Sequence, residues 1–142
     1  MPSYIYYMQR VKKAKFKEKE RAIRDLWEHM GDKPLDVAAS LVIKKYMLSI
    51  YQSLDFNQKH AALQVLMSLT CSCEELENLL FDYLGQVWAR YRNMSNRLGS
   101  YLYTVSEYRE SWKGNRTIGP YELDKIFFAT HEILKEIDSP YV

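Results

Sequence analysis

The feature that most constrains this chain is a run of apolar residues at Leu80, Leu84, Val87, Tyr91, Met94, Leu98, Tyr101, Val105, Tyr108 and Trp112. Successive members stand alternately four and three residues apart. A strand repeats its faces every two residues, so this spacing specifies the stripe of an amphipathic helix. Its mean period of about 3.5 is that of a helix packed lengthwise against others. Unbroken, a helix over residues 80–112 would be roughly 50 Å long at ~1.5 Å per residue. A compact domain of 142 residues is only about 35–40 Å across. The mismatch implies an interrupted helix, an elongated molecule or a second copy covering the overhang. Gly99 followed by Ser100 is the expected break, because glycine adopts the left-handed geometry that ends helices and serine caps the next one. Residues 93–96 are a second weak point, since short polar side chains compete for backbone hydrogen bonds. The stripe keeps its phase across Gly99, which predicts a kink there and not a reversal.

The rest of the chain reads the same way. Ser3 stands where it can cap a first turn containing Tyr4, Ile5, Tyr6, Tyr7 and Met8. Phe16, Ile23, Trp27 and Met30 continue a helical stripe until Gly31 and Pro34 stop it. A helix from about Asp36 to Leu54 is apolar around most of its girth, with Lys44 and Lys45 as its wet edge, and is expected to be central. Asp55 or Asn57 starts another, with Ala61, Leu63, Leu66, Met67 and Leu69 inside. Ser72 and Glu75 form a capping box ahead of the long stripe. Gly119 and Pro120 open the last helix, whose buried face is Leu123, Ile126, Phe127, Leu134 and Ile137. The expected fold is therefore all-α: a single domain over 1–142, a bundle of five or six helices around one long, kinked central helix.

Composition supports a packed core, with 20 aromatic residues (12 Tyr, 5 Phe, 3 Trp) and few Gly or Pro. Cys71 and Cys73 lie too close together for a disulfide framework and fit a reduced, cytoplasmic setting. The N-terminus runs apolar then basic, the reverse of a secretory signal. The longest charge-free apolar run, 61–73, is too short and polar to span a bilayer, so no membrane attachment is expected.

Net charge is only +2, yet it is unevenly spread. Arg10, Lys12, Lys13, Lys15, Lys17, Lys19, Arg21 and Arg24 face only Glu18 and Glu20, so residues 10–24 carry +6 and the remainder −4. Eight cations on one helix, with tyrosines upstream, suit an acidic protein surface or the phosphates of a nucleic acid. The bland alternative is a solvated helix face over Phe16, Ile23 and Trp27.

Three further patterns carry chemistry. Arg24 and His29, in Arg-Asp-Leu-Trp-Glu-His, form a pair similar to the Arg-x4-6-His motif of HEPN-type ribonucleases. That resemblance implies an all-α, often dimeric, metal-independent enzyme, with Arg24 stabilising a phosphate and His29 acting as acid or base. The bland alternative is a surface arginine and a histidine near a helix C-terminus, where a cation suits the dipole. Residues 23–32 (Ile-Arg-Asp-Leu-Trp-Glu-His-Met-Gly-Asp) are similar to the helical docking segment of apoptosis regulators, with apolar residues at i, i+4 and i+7 followed by Gly-Asp. Cys71 and Cys73 with His60 and His131 offer metal-ligand types without the paired spacing of a zinc site, so neither metal nor cofactor is expected. No glycine-rich phosphate loop or nucleophile turn is present. These readings favour a small non-enzymatic regulator or adaptor that docks on another macromolecule, foremost a protein. Nucleic-acid binding through 10–24 stands second and the ribonuclease third. A homodimer through the 80–112 helix follows from the overhang.

Overall fold

The computed structural model describes residues 3–32, 35–69, 73–112 and 118–138. Among these it contains seven α-helices and one 3-10 turn, and no strand. The helices are α1 (Tyr4–Lys13), α2 (Phe16–Asp32), α3 (Val37–Ile50), α4 (Phe56–Ser68), α5 (Cys73–Tyr91), α6 (Asn96–Trp112) and α7 (Pro120–Asp138). The fold is all-α as expected, but the count exceeds five or six. Two stretches read as continuous helix are each divided by a turn. None of the described helices is long and apolar enough to cross a membrane. Contacts gather the chain into two compact units, Met1–Cys71 and Ser72–Val142.

In the first unit α1 and α2 form an antiparallel hairpin. Lys13 ends α1, Ala14 is extended at φ −76° and ψ 153°, and its amide still donates to the Arg10 carbonyl at 3.0 Å. Arg10 reaches back to Asp25 at 2.8 Å, Lys19 Nζ donates to the Val11 carbonyl at 3.0 Å, and the Tyr7 ring stacks on His29 at 4.5 Å. Val11, Ala22, Ile23 and Leu26 are buried beneath these contacts. Each fully buried Val, Ile or Leu side chain contributes about 1.5–3 kcal/mol. Ser3 does stand at the N-cap of α1, but its carbonyl does the work and its hydroxyl makes no capping bond.

Helix α2 also packs along α4, where Trp27 Nε1 donates to Ser68 Oγ at 3.1 Å. Here the structure corrects an expectation. The apolar α3 is not central: it buries only Ala39, Ile43 and Met47, one residue per turn, and leaves Val37, Leu41 and Val42 exposed. The helix buried around most of its girth is α4, including Gln58, Lys59 and His60. Ala61 and Ala62 are wholly buried, and Asp55 with Gln58 gives α4 a full capping box. Apolar content measured how greasy α3 is, while α4 is the helix that α2 packs along.

The second unit is an antiparallel three-helix arrangement in which α5, α6 and α7 all pack on one another. The expected long helix over 80–112 is absent. It ends at Tyr91, turns through 92–95 and returns as α6. Gly99 is not the break. It lies in the first turn of α6, where an added Cβ would meet only the Arg92 carbonyl at 3.7 Å and the Trp88 ring at 3.9 Å. Ser95 supplies the reason: its hydroxyl accepts the Leu98 amide at 3.1 Å, so it caps α6, and the Met94 amide closes the turn on the Tyr91 carbonyl at 2.9 Å. The second weak point prevailed: Ser95 is the serine that caps the returning helix, and Ser100 lies within α6. The chain reverses, and the stripe holds in part on each side of the turn: Tyr91 and Tyr101 are half-buried and Tyr108 is exposed. Leu80, Leu84, Val87, Leu98 and Val105 are buried, while Met94 in the turn is exposed.

Tyr83, fully buried, tilts against Phe127 of α7 at 6.1 Å. Arg97 pairs with Glu136, and Tyr108 donates to Glu122 at 2.8 Å, fixing the antiparallel register of α6 and α7. Pro120 stands at the first position of α7, as expected, and the Gly119 carbonyl accepts from Leu123 at 3.0 Å. Ser72, Cys71, residues 113–115 and the side chains of Cys73 and Trp112 lie outside the described residues.

Candidate docking surface

The eight cations of 10–24 do not share one helix. They divide across the α1–α2 corner, and the structure sorts them into two groups. Arg10 is committed to Asp25, Lys19 to the Val11 carbonyl, and Arg24 to Glu20 at 2.8 Å. Lys12 lies 5.1 Å from the centre of the Tyr46 ring, whose phenol burial pushes above its ordinary pKa. Lys13, Lys15, Lys17 and Arg21 remain exposed and make no ion pair among the described residues.

Phe16 stands among them. It is 79% exposed and has φ 55°, the one positive φ outside glycine among the described residues. Left-handed backbone costs a bulky L-residue roughly 1–2 kcal/mol, and such strain persists only where surrounding structure holds it. That hold is visible. Gln58 Nε2, itself buried in the α4 capping box, donates to the Phe16 carbonyl at 2.8 Å. The Lys15 carbonyl accepts from Glu18 and Lys19, which starts α2 directly after the corner. The outcome is an aromatic ring held at the apex of a hairpin with cations on both sides in the chain. The sequence pattern puts Phe16 in an apolar stripe packed beneath the basic face, but Phe16 is exposed, and no glycine, proline or asparagine marks the turn.

The second unit offers a different surface. A groove of about 330 Å³ runs between α5 and α6. Leu84, Leu102 and Val105 form its floor, and Phe81, Trp88 and Tyr103 its walls. Gly85 lines it, and a Cβ added there would meet nothing within 4 Å. At one end the Arg109 guanidinium lies 4.2 Å over the Phe81 ring, tied to Asn78 at 3.2 Å and to Glu77 at 3.6 Å.

The other sequence candidates go elsewhere. Arg24 and His29, five residues apart on α2, stand roughly 140° apart around its axis at about 100° per residue. Arg24 is exposed against Glu20 and His29 is half-buried against Tyr7, so the helix does not converge them on one reacting atom. Within 23–32, Ile23 and Leu26 are wholly buried and Trp27 is bonded to Ser68, so that stripe faces its own unit. Among the described residues no three His, Cys, Asp or Glu groups gather as metal ligands do. His60 belongs to the first unit and His131 to the second. The chain matches no known family model, no curated protein and no solved structure.

Proposed function

We propose that this protein is a non-enzymatic regulator or adaptor that docks on another protein through the α1–α2 corner. The observation that supports this reading is Phe16, exposed in a strained conformation among Lys13, Lys15, Lys17 and Arg21. A solvated basic face needs no exposed ring, and a turn needs no bulky residue at positive φ. Together they suit a partner that offers an apolar socket within an acidic rim. The ring would supply contact energy by desolvation, and the cations would supply steering and register.

A photoreactive benzoyl-phenylalanine in place of Phe16, in the full chain, tests this in the native host. The reading expects an adduct with a protein, lost when Lys13, Lys15, Lys17 and Arg21 are changed to Glu. Absence of any adduct removes it. An adduct with nucleic acid transfers the surface to the second reading, in which bases stack on Phe16 and phosphates meet the four cations. Affinity would then fall with salt at a logarithmic slope of about −3 to −4, from ~0.9 per phosphate.

A further inference from the structure

The exposed ring of the first unit and the empty groove of the second are complementary. Phe16 is an aromatic knob without cover, and the α5–α6 groove is an aromatic-walled socket with a glycine where a side chain would otherwise fill it. Their charges match as well. Met1–Cys71 contains twelve Lys and Arg against seven Asp and Glu, net +5, while Ser72–Val142 contains eight against eleven, net −3. Glu110 and Arg109 both line the groove, with Arg109 engaged by Glu77; Asp82 and Glu107, next in sequence to the lining residues Phe81 and Ser106, are exposed, and Asp82 accepts from Gln86 at 3.1 Å. Next to Phe16 the exposed charges are mainly cationic.

We propose that Phe16 of one copy inserts into the α5–α6 groove of a second copy, so that the protein associates with itself head to tail. This rests on the reading of the α1–α2 corner as a docking surface and names its partner. Knob and socket are different patches, so the contact is heterologous. Each copy keeps one knob and one socket unused, and association continues into a ring or an open chain. The ring gains burial against Phe81, Trp88 and Tyr103. The lysines beside it meet the carboxylates of the second unit, so assembly weakens as salt screens them.

The test is molar mass by light scattering across protein concentration, at about 50 mM and about 500 mM salt, where screening differs several-fold. Wild type is expected to exceed its 16.9 kDa monomer mass at high concentration and low salt, and to return towards it as salt rises. Two variants separate the halves. Phe16→Asn removes the knob and keeps a residue that tolerates the left-handed turn. Gly85→Leu fills the socket and raises helix propensity, so α5 is not weakened. Each alone is expected to weaken association at least about tenfold. Mixed in equal amounts they restore assembly, now halted at a dimer, because each supplies the half the other lacks. Complementation of that kind cannot come from unfolded variants.

A wild type that stays at 16.9 kDa throughout overturns the proposal, as does a mixture that restores nothing or association unaffected by either variant. A monomeric wild type whose position 16 still cross-links to another protein overturns self-association alone and leaves the docking reading standing. No cross-link at all removes both.

Discussion

Two helical hairpins of the molecule, α1–α2 and α5–α6, build their corners differently. Between α5 and α6 the turn runs through Arg92, Asn93, Met94 and Ser95, the Ser95 hydroxyl caps the returning helix, and none of the four is at positive φ. Between α1 and α2 the turn carries Phe16 at φ 55°, holds it with a hydrogen bond from Gln58 forty-two residues away, and surrounds it with cations. Both corners reverse the chain. Reversal alone therefore needs neither the ring nor the strain, and that separates what the first corner does for folding from what it does for binding.

The comparison breaks first if the corners, and not the packed faces, hold the hairpins. Leu26→Ala in α2 and Leu80→Ala in α5, both wholly buried, are expected to cost about 2–5 kcal/mol each in denaturant unfolding. Corner substitutions should cost less than either leucine. Gln58→Ala removes its side chain's half of the α4 capping box and the tether on the Phe16 carbonyl, and should destabilise by about 1–2 kcal/mol. Ser95→Ala removes one local cap and should cost about 1 kcal/mol. The ordering sharpens the contrast, since the first corner leans on a distant residue and the second on its own. Equal losses would erase it. The smallest effect is at Gly99, where an added methyl meets only ordinary contacts. Gly99→Ala should stabilise α6 by roughly 0.5–1 kcal/mol, and a loss would show that the turn does require glycine.

Periodicity made the helices legible. The stripe from Leu80 onwards, the Asp36 and Asp55 starts and the Gly119-Pro120 opening each stand where side-chain chemistry places them. Direction was not legible, because an apolar stripe that stays in phase across a gap reads alike for a kink and for a reversal. Only the Ser95 cap distinguishes them. Centrality misled for a related reason: α3 is the more apolar helix, but α4 is the one that α2 packs along. The candidate surface was half visible. Charge counting located the basic run, yet Ala14, Lys15 and Phe16 carry no turn chemistry. The corner arises from tertiary packing and the Gln58 tether, so neither the division of the cations nor the exposed ring showed in the pattern. The α5–α6 groove was hidden too, because Gly85 matters only once α6 folds back beside it.

Docking through the α1–α2 corner requires that Phe16 serve binding and not folding. Equilibrium unfolding of Phe16→Asn in the full chain asks that directly. Asparagine accepts the left-handed backbone, and a ring that is 79% exposed has little burial to lose. Stability is expected to hold or to rise by up to about 1 kcal/mol as the strain is relieved. A fall of more than about 1 kcal/mol would show that the ring supports the fold, and would contradict its assignment as a docking residue.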